Sequence, residues 1–312
     1  MIHISRILVP VDFSDASKKA LVYGFILAAR FNARLVAAHI VPNSLALAYA
    51  FPVEAVVDEQ AQYEEATKEL KILLSRGHAT TVDAEAITKI GQIDEELLGI
   101  VKDEAIDLVV MGTHGRRYAG RWFLGSVTER ILRRVPVPVL TVSRIGDGKH
   151  IVNPSLASLN HILYAADVTD PNPALDFAME LAERFAAKLT VLHVVEHLDS
   201  LYAAGAHLSG EAADRLNAMR HRFESFLSSS NSHGLSIETI VREGKPYKEI
   251  LSVTEACGID FIVLNMHRKG VLERAFLGST AERVVRVAGV PVLSIPATFA
   301  LDADPAAGAS RA

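Results

Sequence analysis

The sequence predicts an α/β protein made of two tandem copies of an open, doubly wound parallel sheet, and three observations carry that expectation. The 312 residues suffice for two domains, at about 100–200 residues each. The two halves also align almost without gaps: Ile7–Asp12 answers to Ile162–Asp167 at an offset of 155, Ala33–Val41 to Ala187–Val195 at 154, and Gly125–Arg130 to Gly278–Arg283 at 153. Finally, each half alternates short β-rich apolar runs with stretches of helical period, the signature of strands joined by right-handed crossovers.

In the first copy the elements follow in order. Ile7–Val11, Leu35–Val41, Asp107–Met111 and Val137–Val142 are nearly continuous apolar runs, as expected of strands buried on both faces. Val82–Ile90 is less apolar and belongs at a sheet edge. Between them Ala16–Phe31, Glu54–Arg76, Asp94–Glu104 and Ser126–Val135 carry helical period. The expected organisation is a first domain over 1–144, a linker over 145–159 marked by Gly146, Gly148 and Pro154, and a second domain over 160–296. The Ala-, Asp- and Gly-rich tail, 297–312, is expected to be disordered.

Composition excludes several classes of function. With 32 Lys+Arg against 37 Asp+Glu the net charge is -5, which argues against a general nucleic-acid binder. No run approaches the roughly 18 apolar residues of a membrane span, so no membrane partner is expected. The single cysteine, Cys257, precludes an intramolecular disulfide or a cysteine-built metal site and fits a reducing compartment. Met1–Asp15 shows no basic stretch leading into an apolar one, so a soluble, cytoplasmic protein is the expectation.

The most informative stretch follows the apolar run Leu108–Met111: Gly112, two residues, Gly115, nine residues, then Gly125-Ser126 at a helix start. Glycines let backbone N–H groups approach a ligand, and a helix N-terminus offers unpaired donors to an anion. Together they suit a polyphosphate. Ser126-Val127-Thr128-Glu129 and Ser279-Thr280-Ala281-Glu282 also have the form of a capping box, which starts many ordinary helices. The three glycines favour binding in the first copy. Asp12 ends the first strand, where open α/β sheets bind ligands. Its carboxylate can accept from ribose hydroxyls or an adenine amine, or it can cap the next helix.

On these residues the chain resembles the universal stress protein family, over almost its whole length apart from linker and tail. Gly-x2-Gly-x9-Gly-Ser matches the family's ATP-binding signature, and Val-Asp-x-Ser after the first strand matches a second landmark. The resemblance implies, in each copy, a five-stranded parallel sheet in the order 3-2-1-4-5. This is the adenine nucleotide alpha hydrolase-like, universal stress protein fold, with ATP between strands one and four. It implies that Asp12 meets ribose or adenine and that Ile40 packs on the base. With Met111 beside them, Gly112, Gly115, Gly125, Ser126 and Val127 would surround ribose and phosphates. Members pair through their last strand, here Pro138–Val142 and Pro291–Ile295, so the two copies would form an internal pseudo-dimer, with a homodimer of the whole chain as a further arrangement.

The second copy departs from the pattern. Asp167, Val194, Gly278 and Ser279 keep their places, but Asn265 and Arg268 replace the first two glycines. Weak or absent ATP binding is expected there, the alternative being that Arg268 itself contacts a phosphate. His193, His197 and His267 near Asp167 raise a metal-assisted hydrolase as a minor alternative, although His39 and His114 hold the same places as His193 and His267 in the first copy. The apolar stretch Leu45–Val53 is expected to start a helix on its own domain or to cover the base. Arg116, Arg117 and Arg121, with Arg130, Arg133 and Arg134, read mainly as a solvated basic face. No phosphate-binding Gly-x4-Gly-Lys loop or kinase motif is present, so no catalytic residue is assigned. The expected function is an ATP-binding regulatory protein of the stress response, with Mg2+ on the phosphates and hydrolysis slow or absent. A nucleotide-independent interaction module is the competing reading.

Overall fold

The fold comes from a computed structural model that describes residues 2–43, 58–76, 82–113, 124–143, 159–166, 173–196, 221, 235–266, 279–296 and 299. The first copy runs β1 (Arg6–Pro10), α1 (Asp15–Phe31), β2 (Arg34–Pro42), α2 (Glu59–Arg76), β3 (Ala84–Gly91), α3 (Ile93–Asp103), β4 (Leu108–Gly112), α4 (Ser126–Arg134) and β5 (Val139–Val142). The second runs β6 (His161–Ala166), α5 (Pro173–Phe185), β7 (Lys188–Val195), β8 (Ile237–Glu243), α6 (Pro246–Ala256), β9 (Phe261–Met266), α7 (Ser279–Val287) and β10 (Val292–Pro296).

The strands lie in the order β3-β2-β1-β4-β5-β10-β9-β6-β7-β8. Within each copy they are parallel in the order 3-2-1-4-5, and β3 and β8 form the outer edges. Register reproduces the sequence offsets. Ile7 pairs with Leu35 and Leu108, as Ile162 pairs with Leu189 and Phe261, while Leu35 pairs with Ala84 as Leu189 does with Ile237. The second copy therefore sheds one residue between its first two strands and another before its third. The expected edge strand β3 is half-buried at every position, as fits a strand paired along one side only.

Alternating side chains send Ile7, Val9, Leu35, Ala37, Leu108 and Val110 to one face of the sheet, against α1 and α2. Leu8, Val36, Ala38, Ile40, Val109 and Met111 point to the other face, against α3 and α4. Helix α1 starts with Ser14 as its N-cap, the hydroxyl accepting from the Ser17 N–H at 3.2 Å. It ends on Asn32 in the left-handed region (φ 53°), and Ala186 repeats that conformation after α5 (φ 50°).

The copies join through antiparallel β5 and β10. Leu140 faces Leu293, with Val139 opposite Ser294 and Thr141 opposite Val292. Because Val139 corresponds to Val292 and Thr141 to Ser294, the seam is self-complementary about its central leucines, as a two-fold contact must be. The same reciprocity recurs between α1 and α5: the Arg30 guanidinium lies 5.0 Å from the Phe185 ring centroid, and that of Arg184 lies 4.4 Å from Phe31. At the copy boundaries Leu159 is buried, and Phe299 packs toward Phe177 at 6.4 Å between centroids. Among the described residues no helix is long and apolar enough to cross a membrane.

Candidate functional site

The chain leaves β1 toward β2 and β3, then returns to place β4 on the other side of β1. The carboxyl ends of β1 and β4 thus form the topological switch point, where no crossover covers the sheet edge. Leu8 pairs with Val109, and continuing that register sets Val11 and Asp12 beside Gly112 and Thr113.

Asp12 sits half-buried in a tight turn. Its Oδ1 accepts from the Ser14 N–H at 3.0 Å and from the Ser14 hydroxyl, so Asp12 orients the residue that caps α1. Its own N–H donates to Ser17 Oγ at 3.3 Å. The next residue, Phe13, has φ of 62°, a conformation that costs a side-chain-bearing residue about 1–2 kcal/mol. His39 supports the turn: its Nδ1 lies 2.6 Å from the Val11 carbonyl, and its ring centroid is 4.8 Å from that of Phe13. A bond to a carbonyl requires the proton on Nδ1. On α1, the Lys19 ammonium donates to the Ser143 carbonyl at 3.1 Å, and burial pushes its pKa down.

Opposite this turn, the end of β4 is tied to the start of α4. Gly112 is a packing glycine: a Cβ there would lie 2.9 Å from Ala16 Cβ and 3.0 Å from the Ala16 carbonyl carbon. Its missing side chain lets the first turn of α1 approach the strand. Thr113 is buried, donates its N–H to the Val142 carbonyl at 3.0 Å, and accepts from the Gly125 N–H at 2.8 Å. The buried Thr128 hydroxyl donates to the Gly112 carbonyl at 2.9 Å. Ile40, Met111 and Leu124 share one apolar cluster beneath α4, and Val127 packs against it.

The capping-box expectation at Ser126 is overturned. The N-cap residue is Gly125, extended at φ -60° and ψ 140°, which places Ser126 at the first helical position, exposed. Glu129 turns to Arg133 one helical turn on rather than back to the helix start, and Glu282 does the same with Arg286. The first intrahelical bond of α4 runs from the Glu129 N–H to the Gly125 carbonyl. The N–H groups of Ser126, Val127 and Thr128 precede it and have no acceptor among the described residues. Arg130 and Arg134 are exposed, as a solvated face has them, and also form ion pairs: Arg130 with buried Asp94 at 3.0 Å, and Arg134 with Asp94 at 3.3 Å and Glu95 at 2.7 Å. These carboxylates come from α3, a tertiary partner that local sequence does not reveal.

Gly115, His114, Arg116, Arg117, Arg121 and the Leu45–Val53 stretch lie outside the described residues, as do Asp167, Arg268, Gly278, His197 and His267. Thr113, Thr128 and His39 are the site residues that motif reasoning passed over. For Thr128 a signal existed in the sequence, because Ala281 stands at its place in the second copy.

The universal stress protein family model matches residues 3–143 and again 159–296. The chain belongs to the universal stress protein family. It carries two tandem copies of the family's domain. A universal stress protein of Methanocaldococcus jannaschii is 26% identical over 153 residues, 45% of this chain and 94% of that protein. One from Thermus aquaticus is 33% identical over 145 residues, 44% of this chain and 96% of its own length. The solved structure of a universal stress protein from Archaeoglobus fulgidus superposes with a TM-score of 0.65 at 22% identity, covering 93% of this chain and 98% of that one, which is a likeness of fold.

The second universal stress protein copy repeats several of these supports among its described residues. His193 Nδ1 lies 3.1 Å from the Ala166 carbonyl, the counterpart of His39 on Val11, which gives this histidine a structural role. Among the described residues no group of three or more metal-ligating side chains occurs. The pair Asp94–Arg130 is replaced by Tyr247–Arg283, with the guanidinium 4.8 Å from the ring centroid. Asn265 holds the place of Gly112, and its buried Oδ1 has no hydrogen-bond partner among the described residues.

Proposed function

We propose that the first copy, residues 1–144, binds ATP with Mg2+ on its phosphates, and that the protein is a nucleotide-responsive regulator of the stress response, acting in the cytoplasm. One observation carries the reading: the free N–H groups that open α4 stand at the end of β4, across the switch point from the Asp12 carboxylate. Those donor and acceptor types fit the group. N–H donors at a helix start suit phosphate oxygens, and a carboxylate suits ribose hydroxyls or an adenine amine. Ile40 and Met111 supply apolar contact for the base, while Gly115, Gly125, Ser126 and Val127 line the phosphates. Binding favours one of two conformers of the protein, and partners sense that shift. Hydrolysis is slow or absent, since no lysine loop or kinase motif delivers a charge clamp and a base to the phosphates.

The second copy, residues 160–296 beyond the 145–159 linker, binds nucleotide weakly or not at all, because Asn265 and Arg268 replace two glycines of the signature. The test is to denature freshly purified protein and identify any released small molecule by mass spectrometry, then to titrate the emptied protein with ATP-Mg. Adenine nucleotide should appear, and Gly115→Arg or Gly125→Leu should abolish it. Retention by both variants would refute the phosphate assignment.

A further inference from the structure

We infer that Thr128 is the positioning residue of the first copy's cleft: its hydroxyl, bonded to the Gly112 carbonyl, holds the opening turn of α4, and the N–H groups it presents, in register with the end of β4. This rests on the nucleotide reading above and assigns a role to a residue outside the glycine signature.

Threonines within helices ordinarily return their hydroxyl to the carbonyl four residues earlier on the same helix. Two others here do so: Thr67 donates to Tyr63 at 2.7 Å and Thr254 to Ile250 at 2.7 Å. Thr128, in the first turn of α4, has no carbonyl four residues earlier on its own helix, and its hydroxyl instead reaches the Gly112 carbonyl at 2.9 Å, sixteen residues away in sequence. A second bond, from the Gly125 N–H to the Thr113 carbonyl at 2.8 Å, ties the same two elements one step along. The Gly112 carbonyl, the last of β4, and the Thr113 carbonyl next to it would otherwise turn partial negative charge toward an anion. Both are instead engaged by the first turn of α4, whose remaining N–H groups face the switch point. With Thr128 buried, loss of its donor removes that bond from the Gly112 carbonyl and frees the helix start to shift. In the second copy Ala281 is buried at this position and has no hydroxyl to donate. The tie is therefore missing from the copy that also lacks the first two glycines of the signature.

The experiment compares ATP-Mg affinity, by calorimetric titration of the full chain, for the wild type, Thr128→Val and Thr128→Ser. Valine keeps the volume and loses the hydroxyl, whereas serine keeps the hydroxyl and loses the methyl group. A positioning role predicts that Thr128→Val weakens ATP by about ten-fold, near the worth of one buried hydrogen bond, and that Thr128→Ser stays within about two-fold of wild type. A packing role predicts the reverse order and overturns the inference, as does wild-type affinity in Thr128→Val. Failure of the wild type itself to bind ATP overturns the nucleotide reading, and this inference with it.

Discussion

Substituting Gly112 by alanine tests whether that glycine is held by packing. An added Cβ would meet three atoms of Ala16: Cβ at 2.9 Å, the carbonyl carbon at 3.0 Å and the carbonyl oxygen at 3.2 Å. Carbon atoms prefer about 3.5–4.0 Å, so helix and strand must separate by about 0.5–1 Å. The helix cannot yield cheaply. Its first turn is locked by Ser14, which accepts from the Ser17 N–H at 3.2 Å and takes the Ser17 hydroxyl on its carbonyl at 3.0 Å. Beyond that turn Ala20, Leu21 and Phe25 are buried in the core. Overpacking of this kind costs about 1–3 kcal/mol. Gly99, in the middle of α3, is the control, because a Cβ there meets nothing within 4 Å. Gly99→Ala should instead gain about 0.5–1 kcal/mol by removing backbone freedom from the unfolded chain. Urea denaturation followed by circular dichroism should therefore separate two identical substitutions by about 1.5–4 kcal/mol. Equal midpoints would refute the packing argument and leave Gly112 explained by ligand approach alone.

Three further outcomes follow from backbone strain and burial. Ala105 occupies the left-handed region at φ 46°, where the second copy has Gly258 at φ 63°. Ala105→Gly should raise stability by about 0.5–1 kcal/mol in urea denaturation, and a loss would contradict the strain reading. Burial, aided by the Asp260 carboxylate, pushes the Tyr23 phenol from 10.0 up to about 12. Its stabilising effect is thus whole below pH 10 and disappears as pH rises through about 12. Absorbance titration at 295 nm should show a late phenolate that Tyr23→Phe removes. His161 is shifted the other way: burial first, then the Lys188 ammonium, push it below its ordinary 6.5 against the opposing pull of the Cys257 carbonyl, Asp260 and Glu238. With the folded value depressed, its contribution is complete above pH 6.5 and drains away as pH falls through the folded value. Urea midpoints at pH 8 and pH 5 should differ less for His161→Gln than for wild type, and an unchanged difference would rule the shift out.

Much of the fold is legible in the sequence because it depends on short-range pattern. Parallel strands buried on both faces give continuous apolar runs, and the observed β1, β2 and β4 fall within a residue of those runs. The repeat sharpens this, since a shared register forces the offsets 155, 154 and 153 to appear at matching strands. What stays hidden depends on partners distant in sequence. Ser126 to Glu129 has the letters of a capping box, but Arg133 draws the glutamate away and Gly125 takes the cap. Arg130 and Arg134 look like free surface charge until α3 delivers Asp94 and Glu95. Similarly, nothing local reveals that Asp107 accepts the Ser5 and Arg6 N–H groups, at 2.7 and 2.9 Å, to pin the start of β1.

The second copy acts as an internal control that separates residues serving the fold from residues serving the site. Contacts present in both copies belong to the fold: Asp260 pins the start of β6 through Asn160 and His161 as Asp107 pins β1, and His193 holds Ala166 as His39 holds Val11. A contact kept with changed chemistry also belongs to the fold. Tyr247 under Arg283 still clamps α6 to α7 where Asp94 and Arg130 clamp α3 to α4. At the end of β4 the difference is of another kind. Asn265 stands at the place of Gly112, and Ala281, which has no hydroxyl, stands at the place of Thr128. The packing of Gly112 against Ala16 serves the fold of the first copy, as the alanine substitution tests, and on the nucleotide reading proposed above the Thr128 tie is the contact that a ligand would require of that copy alone.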